Sequence, residues 1–206
     1  MMIHEISGRV ASIWEGLRPI TKKMLVGAMH SSPSTPPAPK ASKFSYDAHA
    51  DWEVSRLLTA LDEESRSSNV RHDVAKLTEI TLFADTCVRI LEAQSASAEV
   101  FIQLAERAIR DNDFNRLDKL ADKLGERYSA AEIAEVVRQT DLPQIRAVAY
   151  ETLAMLPVPA LIPLLDDHLY AGIANAALEQ KAFEFESDEA RDLLEQIDYE
   201  NEIGGQ

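Results

Sequence analysis

The C-terminal half of this chain matches itself when shifted by about 28 residues. Leu117 falls on Ile145 and then on Ile173, Leu120 on Val148 and Ala176, and Ala121 on Ala149 and Ala177. A second set runs beside it. Ala105 leads to Ile133 and Leu161, Ala108 to Val136 and Leu164, and Ile109 to Val137 and Leu165. One extra residue then brings Leu161, Leu164 and Leu165 onto Ala190, Leu193 and Leu194. Asp113 and Asp141 fall in the same register. The pattern predicts four helix pairs, over about 70–110, 112–139, 141–168 and 170–198. One such pair cannot bury its apolar stripe alone, so the pairs must stack into a common core. The small residues Ala121, Ala149 and Ala177 would let helices approach closely. An ordinary bundle of equal antiparallel hairpins would show a similar stripe, and both arrangements stay open at this level.

Start and stop signals support helices throughout. Asn69 is placed to cap a long helix carrying Val70, Val74, Leu77, Ile80, Ala84, Cys87 and Leu91. Ser97 and Asp113 open the next two, and Gly125 is expected as the glycine just past a helix end. Ser129 with Glu132 has the spacing of a capping box. Asp141 and Pro143 open a fifth helix, Pro157 stops it, Pro159 starts a sixth, and Ser187 caps the last. A helix around Trp52 to Asp62 precedes them all. The fold class expected is all-α: a right-handed stack of antiparallel helix pairs with a separate N-terminal amphipathic helix.

That N-terminal helix is read from Ile3, Ile6, Val10, Ile13, Trp14 and Leu17, which share one face at helical spacing. Pro19 then ends it or opens a second short helix, Ile20 to Met29. Residues 31–43 read SSPSTPPAPKASK, an extended linker because proline fixes φ and removes backbone donors. The expected organisation is a helical tail over 1–30, a linker over 31–43, a repeat domain over 44–200 and a flexible end over 201–206. Charge changes at the linker. Residues 1–43 hold six bases and two acids, net +4, so the chain total of −14 leaves −18 on residues 44–206. That sign disfavours nucleic acid as a partner.

The stretch DLPQIRAVAYETLAMLPVPALIPLL over 141–165 resembles a HEAT repeat. The features that carry it are Asp141, Ile145-Arg146, Ala149, Leu153, the break at Leu156-Pro157, and Ala160-Leu161 with Pro163-Leu164-Leu165. The match covers the unit 141–168 and weakens in its neighbours, where Asp118 and Ala174 replace Arg146. The resemblance implies an α-solenoid that acts as a scaffold or adaptor.

Chemistry-bearing patterns are sparse. The five histidines, His4, His30, His49, His72 and His168, include no chelating i,i+3 or i,i+4 pair. Asp166-Asp167-His168 reads as a solvated turn rather than a metal site, and His49 and Asp51 as solvated residues beside a buried Trp52. Cys87 reads as a small core residue. No glycine-rich phosphate loop or nucleophile elbow occurs. No catalytic, cofactor or metal residue and no small-molecule substrate is therefore assigned. The expected function is a non-enzymatic scaffold, adaptor or accessory subunit in the cytoplasm, binding a protein partner with a basic surface. Ile6, Val10, Ile13, Trp14 and Leu17 are the candidate partner-binding residues. Three placements of that helix stay open: in a partner's groove, weakly on a membrane surface, or folded back on its own domain. The alternative function is a peripheral membrane-surface protein using the same helix; a third, an enzyme or lyase-like repeat protein with a concave-face site, would need histidine or cysteine grouped with acids.

Overall fold

The computed structural model describes residues 7–30 and 46–204, with side chains through Tyr199. The described residues form twelve α-helices and no strand, so the all-α expectation holds. The expected linker 31–43, and Ile6 of the expected docking face, lie outside the described residues. The chain divides into two compact units, Met1–Ser95 and Ala96–Gln206. That division falls inside the expected 44–200 domain and splits the expected first helix pair.

The first unit contains α1 (Gly8–Gly16), α2 (Pro19–His30), α3 (Ala48–Ser65), α4 (Ser68–Arg71) and α5 (Val74–Gln94). α3 and α5 form its centre, α1 packs on α3, and α2 packs mainly on α5. Val10, Leu17 and Leu25 are buried with Leu57, Leu58, Leu61, Ile80 and Leu91. The N-terminal helices are thus part of this unit's core, where the sequence predicted a separate tail. Each fully buried Leu or Val contributes about 1.5–3 kcal/mol, which no solvated tail would gain.

Asn69 does not cap the long helix. Asp73 does, its carboxylate accepting from the Lys76 amide at 3.1 Å. Asn69 sits in the short α4, so Val70 is buried from there, whereas Val74 is 77% exposed.

The second unit contains α6 (Ala98–Arg110), α7 (Phe114–Arg127), α8 (Ala130–Gln139), α9 (Pro143–Met155), α10 (Val158–Leu165), α11 (Ala171–Glu184) and α12 (Asp188–Gly204). α12 runs through 204, beyond the expected boundary at 200. Packing contacts follow two series. α6 lies against α8 and α8 against α10, while α7 lies against α9 and α9 against α11. Cross-contacts join α6 to α7, α8 to α9, α10 to α11 and α11 to α12.

Caps and side-chain bonds explain the helix ends. Asp113 accepts from the Arg116 amide at 3.1 Å and Ser129 from the Glu132 amide at 3.2 Å. Glu132 does not close a capping box. Its carboxylate accepts from the Ala98 amide at 2.8 Å, capping α6, where Ser97 makes no side-chain cap bond. Arg146 donates to the Val137 carbonyl at 2.8 Å and so satisfies the end of α8. Lys181 does the same for α9 through the Ala154 carbonyl at 2.9 Å. Gly125 is not a terminator either: α7 continues to Arg127. It sits where α7 meets α9, and a β-carbon there would lie 3.6 Å from Thr152 Cγ2.

Candidate functional site

α7 exposes most of its surface and separates its charges by sign. Only Leu120 and Leu124 are buried in it. At 3.6 residues per turn, Asp118, Asp122 and Glu126 share one face at steps of four, about 6 Å apart along the axis. Arg116, Lys119, Lys123 and Arg127 fall on another arc of the same helix. The acidic face borders an open groove of about 530 Å³ between α7 and α9. Its opposite wall carries Glu151 from α9. Ala121, Val148 and Met155 supply apolar lining, and Gly125 leaves room where a side chain would stand. Thr152 also lines it, but its hydroxyl donates to the Val148 carbonyl at 2.7 Å and is spent inside α9. Met155 is 66% exposed, a large apolar side chain left at the end of α9. The surrounding unit holds 23 acids and 10 bases, net −13.

This arrangement suits binding. Carboxylates rim an apolar floor, and no histidine, cysteine or lysine lines the groove as a nucleophile or proton carrier. Among the described residues, no three His, Cys, Asp or Glu side chains are grouped to hold a metal ion.

The sequence-predicted docking residues lie in the other unit. Val10 is fully buried and Leu17 is 6% exposed. Ile13 and Trp14 are half-buried. Trp14 meets Phe83 of α5 edge-on at 6.4 Å between ring centres, and the Lys22 ammonium lies 6.0 Å from its ring. The described part of the face that the sequence offered to a partner packs against the chain's own α3 and α5.

A polar cluster fixes that cover. Glu53 of α3 is 1% exposed. It accepts from the Arg18 amide at 2.6 Å, from Arg18 Nε at 2.9 Å and from the Thr21 hydroxyl at 2.5 Å. Arg18 also donates to both Asp47 carboxylate oxygens, at 3.0 and 2.8 Å. Burial opposes the charge on Glu53, but the Thr21 hydroxyl and both Arg18 donors outweigh it and hold the carboxyl below its usual range. Arg18, then the Ala50 amide, hold the Asp47 carboxyl far below its ordinary value.

The remaining candidates stay apart. Cys87 is buried. The His168 side chain is 90% exposed, and the Asp167 carboxylate accepts from the Leu169 amide at 2.9 Å in the turn. Trp52 is 56% exposed rather than buried. The Arg56 guanidinium sits 5.2 Å from its ring centre and the His49 ring 5.6 Å away. Sequence reasoning missed Asp118, Asp122, Glu126, Glu151 and Met155 as a group. The spacing of the α7 acids was visible in the sequence; their meeting with α9 was not. Comparison with family models, curated proteins and solved structures gave no match.

Proposed function

We propose that the chain is a non-enzymatic protein-interaction scaffold or accessory subunit of a larger assembly, its second unit a right-handed HEAT-like α-solenoid. The two packing series support the stacked reading, because α6, α7, α8 and α9 each meet the second helix along as well as one adjacent helix. Register supports it too: Ala105, Ile133, Leu161 and Ala190 are all buried. The observation that carries the functional reading is the α7–α9 groove, an acid-rimmed concavity that holds an exposed methionine and is left unfilled by the fold. Contiguous apolar surface rimmed by polar groups marks interaction surfaces, and here Ala121, Val148 and Met155 line one groove together.

In this reading α1 and α2 brace the first unit. An anchor through Val10, Ile13, Trp14 and Leu17 would require α1 to leave α3.

The test is size-exclusion chromatography of extract from the native source, followed by mass spectrometry of the fractions holding this chain. The expected result is a stoichiometric complex with another protein, well above the chain's own 22.9 kDa. Elution of the chain at its monomer mass would overturn the proposal.

A further inference from the structure

We infer that the α7–α9 groove receives a basic amphipathic segment of a protein partner, with lysine or arginine on its flanks and an aliphatic side chain at its centre. This rests on the scaffold reading and names its site.

Three features of the groove select that chemistry. The first is charge geometry. Asp118, Asp122 and Glu126 form a row on one wall and Glu151 stands on the other, so a ligand lying lengthwise meets carboxylates on both sides. Partner cations four residues apart on a helix would repeat at the same ~6 Å step as the α7 acids. The second is sorting within α7. Its four bases occupy a different arc, so the wall facing the groove carries one sign. In a unit of net −13, that wall adds a local field to a general one, and the combination attracts cations and speeds encounter. The third is the floor. Ala121, Val148 and Met155 would leave a purely hydrophilic cation without a partner for its own solvation. An aliphatic side chain seated there removes Met155 from water, and methionine adapts to varied apolar shapes. A nucleic acid would be repelled, and an acidic lipid surface likewise. A lone divalent cation would leave the apolar floor uncovered.

The test uses fluorescence anisotropy with a labelled peptide of repeated Leu-Lys-Lys-Leu units, on the full chain. Oligolysine of equal charge and a Leu-Glu-Glu-Leu peptide are the comparators. Asp118→Lys with Asp122→Lys should weaken Leu-Lys binding at least tenfold, about 1.4 kcal/mol. Met155→Glu should weaken it at least threefold. Glu195→Lys with Asp198→Lys changes net charge equally on exposed positions of α12, and should change binding less than twofold. Far-UV circular dichroism confirms that each variant folds. Affinity should fall as salt rises, since exposed charges are screened. Equal loss in the α12 pair would show a diffuse field and overturn the inference. So would oligolysine binding as tightly as the Leu-Lys peptide, or failure of the Leu-Lys peptide to bind. If the native complex persists while the peptide does not bind the groove, the scaffold reading stands and this site falls.

Discussion

Replacing Glu53 by alanine should open the first unit from its N-terminal side. The carboxylate is 1% exposed and takes three donors, two from Arg18 and one from Thr21. Thr21 is itself fully buried, so its hydroxyl would lose its acceptor where water does not reach. Breaking a buried charged cluster from one side costs about 3–5 kcal/mol. The Arg18 side chain is 33% exposed and keeps Asp47, so the lower end of that range applies, about 3 kcal/mol. Glu53→Gln retains one carbonyl acceptor but turns an amide NH2 donor toward the remaining donors, and should cost about 1–2 kcal/mol. Urea unfolding followed by tryptophan fluorescence reports on this unit, because both tryptophans, Trp14 and Trp52, belong to it. Trp14 emission should also shift under native conditions as its contact with Phe83 loosens. A loss below 1 kcal/mol in Glu53→Ala, with Trp14 emission unchanged, would refute the cluster as the clamp on α1 and α2.

Other perturbations have defined signs. Gly125→Ala should stabilise the second unit by about 0.5–1 kcal/mol in circular-dichroism-monitored melts. A helical glycine is replaced, and the new methyl meets Thr152 at an ordinary 3.6 Å. Acid should weaken both units through carboxyls held below their ordinary values. Glu53 and Asp47 in the first, and Glu135 in the second, held at about 2 mainly by Arg138, keep their contributions above pH about 4.5. Those contributions decline as pH falls through the folded values, and Glu135→Gln should flatten the second unit's loss between pH 4.5 and 2. Arg146→Ala should cost about 1 kcal/mol in thermal unfolding, because two carbonyls at the end of α8, those of Val137 and Thr140, lose their donor.

Local signals in the sequence located most helices and missed what depends on distant contacts. Asp113, Ser129 and Ser187 cap as their residue types dictate. Gly125 misled because glycine serves both to end a helix and to admit a neighbouring helix, and only the position of Thr152 distinguishes the two. The shift of 28 aligned the even-numbered helices with their burial, as Ala108, Val136 and Leu164 show. For the odd-numbered helices the buried set follows a shift of 29 instead, through Leu120, Ala149 and Leu178, and Leu124, Leu153 and Ala182. Adjacent apolar residues let both shifts match by residue type. The Glu53 cluster was illegible for a different reason. Its partners lie 35 and 32 residues away across a proline-rich stretch, beyond any helical period. The groove acids were legible as a row on α7, but a row becomes a wall only when α9 stands opposite.

Arg18 lies between α1 and α2, and its backbone N–H, as well as its side chain, is held by Glu53. That amide therefore works as a clock on the N-terminal helices. Its proton can exchange with solvent deuterium only after Glu53 lets go, so its protection factor gives the opening equilibrium directly. If α1 and α2 leave as one body, the Arg18 amide and the Lys22 amide, which donates to the Arg18 carbonyl, will take up deuterium together. If α1 frays alone, amides up to Trp14 will exchange first while Arg18 stays dark.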